Sequence, residues 1–418
     1  MRYNSTTLSN GLRIIHLPSV AQVVYCGYQI AAGTRHEAAG EEGLAHFVEH
    51  TTFKGTSKRN SLQVINALET VGGDLNAFTT KEHTVYYAAI LKNHFRKAVD
   101  VLSDIVFHST YPEQEVEKEK DVVVEEIESY NDTPSELIFD DFENIIFKDE
   151  PLGHNILGTE ENVRAFTADD ARSFAHRHYR ADNSVFFVYG DISFDAIVAA
   201  VGKTTADLPQ ITADNSTATT VQCARTGVAA ADLSAGGQLY EVDRATHQAH
   251  VMIGTRAYGF HHEHRTALYL LNNILGGPAL SARLSLVLRE RHGLVYSVES
   301  NMVSYSDTGV WMVYFGCDQH DVKRCIALVR RELDKFVKKS ISSQKLKAAK
   351  QQLKGQIGVA CDNRENFALD FGKHYLFFGT EKSIDQLFLD IDSVTADEIQ
   401  TVAAALFADD KLTTLVYT

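Results

Sequence analysis

The chain has 418 residues, and 40 Lys plus Arg stand against 55 Asp plus Glu, a formal charge of −15. Hydrophobic residues make up 44% and charged residues 23%, which excludes a collagen-like chain, a disordered tail and a disulfide-built miniprotein. The acidic balance argues against general nucleic-acid binding, which needs a basic face, and the length predicts two or three domains.

No run of 18 apolar residues occurs, so no membrane span is expected. No apolar stretch follows Met1, so no signal peptide is expected. The expected location is cytoplasmic, with a mature periplasmic or organellar form left open. Cys26, Cys223, Cys317, Cys325 and Cys361 show no C-x-x-C spacing and read as buried thiols.

In chain order, the first half opens on a strand-like run from Val23 to Ala32, followed by helical stretches at about 40–54 and 61–71. A strand pair from Ala77 to Leu91 leads into a helix from Phe95 to Val106 and a charged helix over 113–131. The half ends on a helix from Ala168 to His178 and a strand from Val185 to Tyr189. Residues 211–236, rich in Thr, Ala, Ser and Gly, read as a linker. The second half repeats the order: strand from His250 to Thr255, helix over 263–275, strand pair from Tyr296 to Gly316, helix from Val322 to Phe336 and helix over 343–358. A helix from Ala396 to Phe407 and a strand from Leu412 to Tyr417 close it. The pattern predicts an α+β fold made by tandem duplication, each copy a mostly antiparallel sheet with helices on one face. The expected domains are 1–210 and 237–418, joined by 211–236.

The segment from Leu44 to His50 places His46 and His50 four residues apart, with Glu49 between them. On a helix such residues share a face, with Cβ atoms about 5–6 Å apart. Two imidazoles so placed can reach one Zn²⁺, and Glu49 can reach a water held there without being a ligand. The pattern is H-x-x-E-H, the inverse of H-E-x-x-H. A bland alternative is three polar residues on a core helix. Catalytic zinc takes three protein ligands. In the helix over 113–131, Val116, Val122, Val123 and Ile127 define an apolar stripe, and Glu119 and Glu126 fall inside it, seven residues apart. A carboxylate within such a stripe pairs with Lys or Arg, or ligates a metal. Glu126 is the expected third ligand, and Glu119 the group that orients a histidine or tunes the water.

From His46 to Thr56 the chain reads H-F-V-E-H-T-T-F-K-G-T, which resembles the insulinase/pitrilysin family of zinc metallopeptidases, closest to the processing-peptidase branch and its short bacterial relatives. The stretches Gly72 to Thr79, Thr84 to Tyr87 and Pro151 to Thr159 also resemble that family. The resemblance implies one Zn²⁺ per chain on His46, His50 and Glu126, with Glu49 as general base and Glu119 as an auxiliary catalytic group. In the second half, which carries no H-x-x-E-H, Arg289 and Tyr296 resemble the family's substrate-binding pair, seven residues apart. Thr51 and Thr52 depart from the pattern, where apolar residues are common. The strand holding Asn76, Ala77 and Phe78 is expected at a sheet edge, where an extended peptide adds by β-augmentation.

The implied activity is metalloendopeptidase cleavage of unfolded or presequence-like peptides enclosed in a chamber. The resemblance also implies a dimer of this chain, or a heterodimer with an inactive relative. A non-catalytic assembly subunit is the rival, as is an active subunit that needs an inactive partner. No G-x-x-x-x-G-K-[ST], G-x-G-x-x-G or G-x-S-x-G supports a nucleotide-dependent or serine-hydrolase reading.

Overall fold

Among the described residues eleven strands, all but the first carrying Val, Ile, Phe or Tyr, pair into two sheets, one for each half of the chain. The computed structural model describes residues 3–210, 237–381, 383–408 and 410–418, so the expected linker 211–236 lies outside the described residues. The first sheet comprises β1 (Asn4–Thr7), β2 (Arg13–Pro18), β3 (Val23–Ile30), β4 (Asp74–Thr79), β5 (Thr84–Leu91) and β6 (Ser184–Gly190). Its order is β1-β2-β6-β3-β5-β4, antiparallel except for the β2–β6 pair. The second comprises β7 (Leu239–Val242), β8 (Ala249–Ala257), β9 (Val295–Ser304), β10 (Gly309–Cys317) and β11 (Thr413–Tyr417). Its order is β7-β11-β8-β10-β9, again with one parallel pair, β7–β11. Without β1, the two orders match strand for strand, as a tandem duplication requires.

Most helices of each half pack on one face of that half's sheet. Val24, Cys26, Tyr28 and Ile30 of β3 point into the first core, which includes Val99, Leu102 and Ile105 of helix Phe95–His108. The opposite faces are closed by an exchange between the halves. Helix Arg364–Phe378, late in the sequence, packs on β3 and β6 of the first sheet. Gln29 Nε2 donates to Leu369 O at 3.1 Å, and Gly372 lets the Phe187 ring approach the helix backbone. Reciprocally, helix Pro134–Ile146 covers the second sheet, where Ile138, Phe142 and Ile146 form a core with Met252, Met312, Leu415 and Tyr417.

Two covered faces explain the unbroken apolar runs of β6 and β10, since a strand buried on both sides has no reason to alternate. Each Phe buried this way contributes about 1.5–3 kcal/mol. The exchange divides the chain differently from the expected 1–210 and 237–418. One compact unit takes the described residues of 1–129, 154–222 and 361–383, and the other those of 130–153, 223–360 and 384–418. Helix faces complete whichever sheet they reach, and sequence position does not decide which one that is. No described helix is long and apolar enough to cross a membrane. Cys26, Cys317 and Cys325 are buried free thiols as expected, whereas Cys361 is only half-buried; Cys223 lies outside the described residues.

Candidate metal centre

Helix Leu44–Thr52 is buried at eight of its nine residues, and its start is set by backbone geometry. Gly43 adopts φ +98° and packs against Gly158 at φ +72°; a Cβ on Gly43 would lie 2.7 Å from the Gly158 Cα. Only glycine meets both demands. The Glu37 carboxylate, fully buried, accepts from the amides of Gly43 at 3.0 Å and Ala45 at 2.7 Å, and from His154 Nε2 at 2.8 Å. It thereby satisfies two free N–H groups at the helix start. Thr51 and Thr52, both fully buried, donate to the carbonyls of Phe47 and Val48, each at 2.7 Å. Their hydroxyls are satisfied within the helix, which lets threonine occupy apolar slots.

One turn apart, the His46 and His50 rings lie 4.6 Å apart between centroids. Helix Glu113–Asn131 brings two carboxylates to them. Glu126 places Oε2 3.3 Å from His50 Nε2 and Oε1 3.7 Å from His46 Nε2. Glu119, nearly buried, accepts from His50 Nδ1 at 3.0 Å and pairs with Lys54 Nζ at 2.5 Å. Among the described residues His46 Nδ1 is buried with no partner, so of the two rings His50 has a carboxylate behind it and His46 does not. Glu49 is buried, and Thr79 at the end of β4 donates Oγ1–H to its Oε2 at 2.7 Å. Sequence reasoning gave Thr79, Lys54, Glu37 and His154 no role. Lys54 stands four residues after His50, a helical spacing that signals a shared face, whereas Glu37 and His154 meet only through loops.

Electrostatics follow burial and partners. Burial, then the neighbouring His50 charge, lowers the His46 pKa to about 4. Burial opposes charge on His50, but hydrogen bonds to Glu119 and Glu126 outweigh it and hold its pKa at about 9. Burial raises Glu49, partly offset by the Thr79 hydrogen bond. Glu119 is lowered, because its bonds to His50 and Lys54 overcome burial. Glu126 is lowered chiefly by its hydrogen bond to His50.

His46, His50 and Glu126 each offer a donor atom, all within 4.8 Å of one another. Around a tetrahedral Zn²⁺ with bonds of about 2.1 Å, ligand atoms lie about 3.4 Å apart. The observed 3.3 and 3.7 Å separations fit that edge. Two imidazoles and one carboxylate also fit the ion's borderline ligand preference.

The helical-wheel reading needs one correction. The buried stripe of helix Glu113–Asn131 is Val116, Glu119, Val123, Val124 and Ile127, while Val122 is 48% exposed. The Glu126 side chain is 44% exposed and sits at the rim of the stripe. At about 100° per residue, Val123 and Val124 fall within about 80° of Val116 and Ile127 while Val122 lies about 120° or more away, so Val122 does not belong to the stripe.

The remaining sequence-predicted residues divide by unit. Asn76, Ala77 and Phe78 lie on β4, which is an edge of the first sheet and pairs with β5 alone among the described strands. Arg289 and Tyr296 belong to the second unit. Arg289 lies in the π-helical turn Ser285–Arg291 and pairs with Glu290 at 3.2 Å. Tyr296 stands near the start of the edge strand β9 and is 91% exposed.

Residues 14–160 match the family model described as Insulinase (Peptidase family M16), and residues 165–353 match that described as Peptidase M16 inactive domain. The uncharacterized zinc protease YmxG of Bacillus subtilis is 33% identical over 412 residues, covering 98% of this chain and 97% of that protein. An uncharacterized zinc protease of Streptomyces coelicolor is 34% identical, covering 95% of this chain and 86% of its own. A protease from Helicobacter pylori shares the fold at TM-score 0.88 and 21% identity, over 100% of this chain and 99% of that one. A structure from Pseudomonas fluorescens, titled peptidase M16 inactive domain, does so at 0.87 and 17%, over 100% and 98%. The chain belongs to the insulinase family of peptidases, family M16.

Proposed function

We propose that the chain is a zinc metalloendopeptidase whose metal is held by His46, His50 and Glu126. The observation that carries this is the convergence of those three donors beside a buried Glu49 on the same helix. Zinc-protease relatives that match nearly the whole chain support it. Bound there, Zn²⁺ supplies a Lewis acid that acidifies water and polarises a scissile carbonyl. Glu49 takes a proton from the attacking water and delivers it to the leaving amine. Thr79 holds the Glu49 carboxylate in place, and Glu119 fixes the His50 ring from behind.

Substrate enters as an extended strand along the open edge of β4, against Asn76, Ala77 and Phe78. Because Thr79 ends that strand, peptide pairing and the general base share one element. Main-chain pairing selects for unfolded peptides and tolerates many sequences. Arg289 and Tyr296 are assigned to gripping the substrate on the strength of the family resemblance. Enclosure in a chamber, and pairing with a second copy or with an inactive relative, rest on the same resemblance.

The test is cleavage of a quenched, unstructured peptide of about 10–20 residues, too short to fold in water. Metal-loaded wild type is compared with Glu49→Gln. The expected result is cleavage by wild type only, with equal zinc content in both. Zinc binding without cleavage by either would overturn the reading for the lone chain and point to an assembly subunit or a partner-dependent enzyme. Running the same assay on size-separated fractions decides which oligomer is active.

A further inference from the structure

The second unit contains a cavity of about 540 Å³ that the proposed peptidase chemistry does not use. It opens between helix Arg265–Gly276, the end of helix Val322–Lys338 and the start of helix Ser343–Ala360. Its size falls in the range of about 300–1,000 Å³ typical of small-molecule sites. Phe336 and Ile341 give it an apolar wall, and Arg283, Lys335, Lys339 and Lys345 line it with positive charge.

The charge is not neutralised locally. Buried Glu332 is the counterion for both Arg283, at 3.0 Å, and Lys335. Lys339 and Lys345 have no anionic partner among the described residues. Four cations facing one carboxylate leave a local excess of positive charge in a chain whose formal charge is −15. The Nε of Arg283 is buried without an acceptor among the described residues. An unpaired buried donor on a cation is costly, and a carboxylate oxygen would satisfy it with a charge-assisted bond.

We infer that this cavity binds an amphipathic carboxylate, an apolar body ending in one carboxylate group. The body lies against Phe336 and Ile341, and the carboxylate meets Arg283, Lys339 and Lys345. Two sources share that chemistry: a medium-chain fatty acid and the free C-terminus of a short apolar peptide.

Calorimetric titration of the full-length protein with dodecanoate and with acetyl-leucyl-leucyl-phenylalanine tests the inference. Saturable 1:1 binding of at least one is expected, and the tighter of the two identifies the source. Dodecyltrimethylammonium, which keeps the apolar chain but reverses the charge, should bind at least about tenfold more weakly. The Lys339→Gln/Lys345→Gln double variant should lose at least about tenfold in affinity. Ala348→Trp, which fills the cavity from an exposed position, should abolish binding. All three positions are exposed, so an unchanged thermal midpoint is expected and shows that the variants remain folded. The inference is overturned if neither carboxylate binds saturably, if the ammonium analogue binds equally well, or if folded variants bind like wild type. Glu49→Gln protein serves equally, so these results stand apart from any result on peptidase activity.

Discussion

Truncating Phe142 should destabilise a sheet that begins about a hundred residues further along the chain. The ring is fully buried among Ile138, Ile146, Met252 and Met312, and its edge fills the space that Gly254 leaves open on β8. A Cβ on Gly254 would come within 2.9 Å of the Phe142 ring, so ring and glycine form a matched knob and hole. After Phe142→Ala the hole has no side chain of its own to collapse into. The cost therefore belongs to the upper part of the usual range for Phe→Ala, about 4 kcal/mol. With a urea slope of about 3 kcal/mol/M, the midpoint falls by about 1.3 M. The chain has one tryptophan, Trp311, fully buried on β10 against Phe407 in the second unit. Its fluorescence follows that unit without added probes. If the Trp311 midpoint moves by less than about 0.3 M, helix Pro134–Ile146 does not stabilise the second sheet and the exchange is wrong.

Two further outcomes are expected. Glu119→Gln keeps the shape but removes the charge that His50 and Lys54 share, and zinc affinity should fall about 10–100-fold in chelator competition; an unchanged affinity would refute the orienting role. Burial, then the His36 and Arg177 charges, lowers the His178 pKa to about 4, although Glu41 opposes and Arg180 reinforces this. The unfolded value is about 6.5, so the unfolded chain binds the extra proton first as pH falls. The contribution of His178 is complete above about pH 6.5 and lost as pH falls toward 4. His178→Phe, which keeps a ring against Phe174, should therefore lose less stability than wild type between pH 7 and 5. Parallel urea-midpoint curves for the two proteins would refute the assignment.

The parts of this molecule that were legible in its sequence are those set by neighbours along the chain. His46 and His50 announce a shared helix face because four residues is nearly one turn. The repeated order of strands and helices reveals the duplication, because each copy must rebuild the same layered core. The exchanged helices escaped for the opposite reason. The run from Ser184 to Gly190 is apolar at nearly every position, which already implies cover on both faces. Nothing local says that the cover is helix Arg364–Phe378, about 180 residues away. Helix Glu113–Asn131 shows a finer limit. The seven-residue spacing correctly puts Glu119 and Glu126 on one side of the helix, but burial separates them, with Glu119 inside and Glu126 at the rim. That difference suits the two jobs proposed for them. A carboxylate that supports a ring from behind has to be fixed, as the bonds to His50 and Lys54 fix Glu119. A carboxylate that shares an ion with water has to face solvent.

Duplication also separates what the fold requires from what the chemistry requires. The first long helix after the opening strand holds His46, Glu49 and His50 in the first half. Its counterpart in the second half, Arg265–Gly276, holds Asn272 and Asn273 among apolar residues. Asn272 is committed to structure: its Oδ1 accepts from Trp311 Nε1 at 3.0 Å, and its carbonyl accepts from Ser300 Oγ at 2.9 Å. Both helices thus bury polar side chains. In the second half Asn272 is tied to the sheet through its bond from Trp311. In the first half the buried His46 Nδ1 has no partner among the described residues, and His46 and His50 turn their Nε2 atoms toward Glu126. On the proposed reading, the same helix position serves as a brace in one copy and as a ligand platform in the other.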